Sequence, residues 1–138
     1  MTLTILLVDD NLTFVAAVRQ FLDCLPDVSV VGQAHDGKSA LMMLRQMQPA
    51  LVLMDIAMPG MNGLELARAM NHETTPPQIV FLSMHDYQAY RDAAHELRAG
   101  FVSKSDVVTE LLPMLQQKAR ARTLEAGTAC ADSSVQGL

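Results

Sequence analysis

Apolar residues fall in two rhythms that take turns along the chain. Short unbroken runs at residues 3–8, 28–31, 51–54, 79–82 and 101–102 read as buried strands, rich in branched residues and apolar at nearly every position. Between them the apolar positions recur at helical spacing. Phe14, Val15, Val18, Phe21, Leu22 and Leu25 predict a helix over 12–25 that Pro26-Asp27 stops. Asp36-Gly37 signals a turn and helix start. The helix that follows carries Leu41, Met42, Leu44 and Met47 and ends at Pro49. Leu64, Leu66, Ala67 and Met70 predict a short helix after the loop 59–63, and Pro76-Pro77 separates it from the fourth strand. Two more helices are expected, over about 87–97 and 109–122, with Thr109 as N-cap so that Pro113 falls in the first turn.

Five strands alternating with five helices predict an α/β fold, a doubly wound five-stranded parallel sheet covered on both faces. Residues 1–123 are expected to form one domain. Residues 124–138, rich in small residues and without periodicity, read as a flexible tail or the start of a linker. The 138 residues suffice for one core. A net charge of -5 argues against a direct grip on nucleic acid. The distant Cys24 and Cys130 show no metal or redox spacing and read as reduced thiols of a cytoplasmic protein. The first apolar run ends at Asp9 without a basic leader, and no run has the length of a membrane span.

The chemistry lies where the apolar runs stop. Asp9-Asp10 follow the first strand, Asp55 the third, Lys104 the fifth. In a doubly wound sheet such strand ends converge on the ligand-binding edge. Three carboxylates sharing a pocket require a compensating cation. Magnesium, with manganese as a substitute, suits the oxygen donors. Asp10 and Asp55 can bind it directly, Asp9 through water, and the backbone carbonyl of Ala57 can complete the protein ligands. Asp55 is a candidate nucleophile, since an aspartate can accept a phosphoryl group as an acyl phosphate. Lys104 and the cation would then stabilise the phosphoryl oxygens. Ser83, at the end of the fourth strand, offers a hydroxyl donor.

The strings LLVDDN (6–11), AHDGKSAL (34–41), LVLMDIAMPGMNGLE (51–65), IVFLSMH (79–85) and GFVSK (100–104) together resemble the receiver domain of bacterial two-component response regulators. The resemblance covers roughly residues 2–122. LSMH and the Ser105-Asp106 that follow the lysine resemble receivers of LuxR-type transcription regulators. The resemblance implies the flavodoxin-like fold, Asp55 as phospho-acceptor, Asp9 and Asp10 as the metal-binding pair, Ser83 as switch hydroxyl, Phe101 as switch aromatic and Lys104 as the site lysine. It implies a sensor histidine kinase as phosphoryl donor, a homodimer on phosphorylation, and DNA contact only through an output domain that these residues do not contain. No membrane partner is expected.

Two departures stand out. The stretch 94–100 is about one residue shorter than is usual between serine and lysine, which implies an atypical fourth helix or exit loop. Met84 occupies a place where a small residue is common, and is expected to narrow access to Asp55. His85 lies beside the expected pocket, whereas His35, His72 and His95 show no ligand spacing. Blander readings accompany each candidate. Asp10 can be a helix cap, Lys104 a solvated lysine, Ser83 a local backbone partner and Phe101 a core aromatic. The ten methionines read as packing. Two alternative functions compete with a phosphorylation-activated regulator: a stand-alone receiver in a phosphorelay or adaptor role, and a magnesium-dependent aspartyl-phosphate hydrolase. The hydrolase reading is weakened because Ala57, two positions after Asp55, carries no acid/base group.

Overall fold

The computed structural model describes residues 2–58 and 60–131. Strands β1 (Leu3–Val8), β2 (Val28–Ala34), β3 (Leu51–Asp55), β4 (Gln78–Ser83) and β5 (Gly100–Ser103) form one sheet. Its order is β2-β1-β3-β4-β5, parallel throughout. Helices α1 (Leu12–Asp23), α2 (Gly37–Met47), α3 (Gly63–Asn71), α4 (Gln88–Glu96) and α5 (Leu112–Ala131) cover it. The expected fold class therefore holds. Among the described residues, no helix is long and apolar enough to cross a membrane.

Strand periodicity sorts the core into two layers. Leu3, Ile5 and Leu7 of β1, Leu51 and Leu53 of β3, Val80 and Leu82 of β4, and Val102 of β5 pack with Val15, Val18 and Leu22 of α1 and Leu115 and Ala119 of α5. The alternate residues, Leu6, Val8, Val52, Met54, Ile79 and Phe81, pack with α2, α3 and α4 through Leu44, Leu66, Met70 and Ala94. Each fully buried Leu, Ile or Phe contributes roughly 1.5–3 kcal/mol of transfer free energy.

Four local features differ from the expectation. β2 continues through Gly32 to Ala34 rather than ending at 31. Its register shifts so that Ile5 pairs with Val30 and Leu6 with Gly32, leaving Val31 as a bulge. A Cβ at position 32 would lie 3.1 Å from the Met47 sulfur, so the strand packs tightly against the side chains of α2 there. The loop after β3 contains a two-residue antiparallel ribbon pairing Ala57 with Asn62 and Met58 with Met61. Thr109 does not cap α5. A 3-10 turn (Lys104–Asp106) and a π turn (Val107–Leu111) precede the helix, with Pro113 as its second residue. Proline has no N–H and its ring crowds the carbonyl four residues back, so the wider turn accommodates it. Finally, α5 runs to Ala131 rather than about 122. Leu124, Glu125, Ala126 and Ala129 are strong helix formers even without an amphipathic period. Residues 132–138 of the expected tail lie outside the described residues.

The segment before β5 leaves α4 through a Schellman motif, with Arg98 rather than glycine at the left-handed position. α4 closes with Arg98 N–H on His95 O and Ala99 N–H on Ala94 O, and Arg98 sits in the left-handed region at φ 58°. A side chain there costs on the order of 1–2 kcal/mol relative to the right-handed conformation.

Candidate functional site

Strand parity explains how the site assembles. Asp9 continues the face of Ile5 and Leu7, Asp55 that of Leu51 and Leu53, and Lys104 that of Val102. All three therefore emerge on the α1/α5 side at the C-terminal edge. Register aligns them further: Val8 pairs with Met54, so Asp9 and Asp55 extend neighbouring strands by the same amount. The Asp9 amide still donates to Ala34 O at 3.1 Å, which keeps it in the ladder.

Lys104 Nζ lies 2.8 Å from Asp9 Oδ2 and 3.3 Å from Asp55 Oδ2, with its side chain only 5% exposed. The same ammonium sits 4.3 Å from the centre of the Phe14 ring, a cation–π contact from the first turn of α1. Asn11 N–H donates to Asp9 Oδ1 at 2.9 Å, and Ala57 N–H to Asp55 Oδ1 at 3.2 Å. His35 Nδ1 lies 3.1 Å from the Asp9 carbonyl oxygen. The Lys104–Asp9 approach is close, but its direction is wrong for a hydrogen bond, so the buried Asp9 Oδ2 has an ionic neighbour and no hydrogen-bond donor. Burial pushes the Asp55 carboxyl above the usual carboxylate range. Lys104 opposes that shift, Asp9 adds to it, and the Ala57 amide and the Lys104 hydrogen bond oppose it again.

Asp10 has the opposite parity and is exposed. It nonetheless contributes to one cluster: Asp9, Asp10 and Asp55 each offer a carboxylate oxygen, and these atoms all lie within 4.8 Å of one another. Two carboxylates already share Lys104 and a third borders them, so the negative charge exceeds the positive. An all-oxygen donor set around an orphaned buried oxygen fits a hard divalent cation. Ala57 is exposed on the short ribbon, directly after β3.

The loop after Asp55 is held close by Gly63. Its N–H donates to Ile56 O at 2.7 Å. A Cβ there would overlap the Asp55 carbonyl oxygen and lie 2.8 Å from Ile56 Cα. Asn62 caps α3 by accepting from Leu64 N–H at 2.7 Å, so the ribbon and helix start form one tight unit behind Asp55.

Ser83 and Phe101 belong to the other face. Ser83 continues the parity of Ile79 and Phe81, and Phe101 packs with the same α2/α3/α4 cluster. Ser83 is buried, and its hydroxyl donates to His85 O at 3.0 Å while accepting from His85 N–H at 3.1 Å. The local backbone bond that the blander reading expects is therefore present. Phe101 is half-buried beneath the Arg91 guanidinium, 4.7 Å from the ring centre, and Arg91 also pairs with Asp86. The His85 ring stacks on Tyr87 at 5.0 Å, and Met84 is 71% exposed, turned to solvent.

Sequence reasoning missed Phe14 and the contact of His35 with the Asp9 carbonyl. The signal for Phe14 was available: it lies four residues after Asp10, on the α1 turn directly above the carboxylates. Parity counted from the apolar positions would also have placed Ser83 and Phe101 together and apart from the three charged groups.

A parallel sheet of this order with an acidic, lysine-bridged C-terminal edge defines a class of protein, the flavodoxin-like domains that bind ligands at that edge. The family is specific: residues 5–116 match the response regulator receiver domain, and the chain belongs to that family. It is 33% identical over 119 residues to the nitrate/nitrite response regulator protein NarL of Escherichia coli K12, covering 84% of this chain and 54% of that protein. Among solved structures, the receiver domain of NarL from Mycobacterium tuberculosis aligns at TM-score 0.78 and 31% identity over 86% of this chain and 97% of that one. A LuxR-family two-component response regulator from Aurantimonas sp. SI85-9A1 aligns at TM-score 0.80 and 30% identity, covering 88% and 87%. This is thus a receiver domain of NarL/LuxR type. The chain spans about half the length of the curated relatives it matches.

Proposed function

We propose that this receiver is a phosphorylation-controlled switch in which Asp55 accepts a phosphoryl group from the phosphohistidine of a sensor histidine kinase. The observation that carries the reading is the cluster itself: three carboxylates within 4.8 Å of one another, two of them bridged by a buried lysine. Magnesium, or manganese in its place, would be held by Asp9, Asp10, Asp55 and the Ala57 carbonyl, and when bound supplies the positive charge that lets an anionic donor approach. A carboxylate oxygen of Asp55 attacks phosphorus; the O–P bond forms as the P–N bond to histidine breaks. Lys104, already 3.3 Å from Asp55, donates to a phosphoryl oxygen.

The conformational response follows from contacts that must be exchanged. Ser83 gives up its two bonds to the His85 backbone and donates to the phosphoryl group. Phe101 leaves the Arg91 guanidinium and turns inward. Neutral hydrogen bonds contribute roughly 0.5–1.5 kcal/mol each and charge-assisted ones roughly 1.5–3. An exposed cation–π contact adds about 0.5–1 kcal/mol to the resting state. The acyl phosphate has to shift the balance by about 3 to 5.5 kcal/mol, which a few charge-assisted bonds supply. The surface of α4, β5 and α5 then changes its affinity for partners, including a second copy of the chain.

The receiver unit in this reading comprises residues 1–123, with 124–138 leading toward a linker. It acts in the cytoplasm and controls transcription through a DNA-binding output domain outside these residues. Support comes from relatives such as the transcriptional regulatory protein DegU of Brevibacillus brevis, 32% identical over 70% of this chain and 40% of that protein. The test is intact mass after incubation with magnesium and acetyl phosphate. One added phosphoryl group is expected in the parent and none in Asp55→Asn; equal labelling of both would rule out Asp55 as acceptor.

A further inference from the structure

Lys104 is held by more than its carboxylates. An ammonium has three N–H donors. Among the described residues only Asp55 Oδ2, at 3.3 Å, accepts a hydrogen bond from it. The approach to Asp9 Oδ2 at 2.8 Å is ionic and lacks hydrogen-bond direction. Yet the side chain is buried, so little of it is open to water. Over the ammonium lies the ring of Phe14, its centre 4.3 Å away. The start of α1 sets that ring in place. Asn11 N–H donates to Asp9 Oδ1 at 2.9 Å, and the Asn11 side-chain oxygen accepts from Phe14 N–H at 3.1 Å. The residue that caps the helix thus ties its first turn to the carboxylate that Lys104 neutralises. Asp9, Asn11, Phe14 and Lys104 close a circuit of contacts, and Lys104 links it to Asp55.

We propose that Phe14 is a positioning residue for phosphoryl transfer, its ring face holding the Lys104 ammonium beside Asp55, a role that presupposes Asp55 as the phospho-acceptor. A lysine is a compact charge on a flexible four-carbon stem, and left to itself it follows whichever anion is nearest. In the resting site the nearest is Asp9, not Asp55. The negative face of an aromatic ring attracts the ammonium without offering it a proton acceptor. It therefore fixes Nζ from the α1 side and leaves N–H groups free for an incoming phosphoryl oxygen. Preorganised charge of this kind costs no rearrangement when the transition state forms. Phe14 also packs against the α1/α5 layer of the core, a task that leucine could share. Holding the ammonium is the part that needs the quadrupole.

The test replaces Phe14 alone with phenylalanines carrying one, two or three ring fluorines, which drain the ring face of negative charge and barely change its shape. Phe14→Leu completes the series. Two quantities are read. The first is the urea midpoint with a chelator present, in the parent background and in Lys104→Met. The midpoint is expected to fall with each fluorine in the parent and to stay level in Lys104→Met. The second is the rate of labelling by acetyl phosphate with magnesium. Its maximum is expected to fall stepwise, to about one fifth of the parent in the trifluoro protein and in Phe14→Leu. The acetyl phosphate concentration at half-maximal rate should change less than about two-fold, because the lysine charge stays in the site. Midpoints that ignore fluorine, or that respond equally without Lys104, overturn the proposal. Normal labelling at the parent's rate throughout the series overturns it and leaves Asp55 as acceptor untouched. A parent that takes no phosphoryl group, with midpoints that do follow fluorine, overturns the acceptor reading and the positioning role with it.

Discussion

Lys104 and Lys118 sit at opposite edges of one sheet, Lys104 buried and Lys118 only partly covered. Lys104 lies between Asp9 and Asp55 under the Phe14 ring. Lys118 has a glutamine oxygen and a cavity. Burial alone therefore does not decide what a lysine does; the charge beside it does. With carboxylates on two sides, the ammonium is a structural and electrostatic element whose removal leaves uncompensated negative charge. With only an amide beside it, partial burial lowers the lysine pKa from its ordinary value.

The largest effect that separates the two edges is expected from Lys104→Met. It strands two buried carboxylates beside each other, and urea unfolding without divalent cations should show a loss of about 3 kcal/mol. A loss below about 1 kcal/mol would mean that the carboxylates are solvated enough to need no partner. A smaller effect of opposite sign is expected from Asp55→Asn. The Asp55 carboxyl titrates above its unfolded value of 3.8, so its ionised form opposes folding. Stability is lost as pH rises through the window between the unfolded and the raised folded pKa, and the whole penalty is present at neutral pH. Asp55→Asn should therefore stabilise the cation-free protein at pH 7, and the gain should fade as pH drops toward 4. A gain independent of pH would point to packing instead. The smallest effect is expected from Lys118→Met, within about 1 kcal/mol of the parent, because one hydrogen bond to a neutral partner is exchanged for apolar contact. Thermal melts at neutral pH check this, and a loss comparable to that of Lys104→Met would erase the contrast between the edges.

Much of the candidate site was legible beforehand because chemistry and chain rhythm coincide. An apolar run stops at a charged side chain, which is buried only where other charged groups meet it, so Asp9, Asp55 and Lys104 each mark the end of an apolar run in the sequence itself. The fold class follows from the same rhythm. The internal order of the cluster was not legible. Nothing local shows that Lys104 approaches Asp9 more closely than Asp55, that Phe14 covers the ammonium, or that Arg91 ties Phe101 to Asp86. The Lys104 contacts join residues 49 to 95 positions apart, and the Arg91 contacts span the turn before α4 and the strand after it. Helix ends failed for a different reason. α5 persists past residue 122 on propensity after its amphipathic period has faded, and its start is displaced by Pro113.

The sequence by itself determined the elements, the two-faced strand pattern and the residues that end each strand, because side-chain parity and local propensity act over a few positions. Only the tertiary structure decided which strands are neighbours, how far each extends, and which charges share a partner. Those outcomes depend on the strand order β2-β1-β3-β4-β5, on the register of each pair and on close backbone approach at Gly63. Packing of distant segments sets such distances, and no local window of the chain contains Lys104 together with Asp9, Asp55 or Phe14.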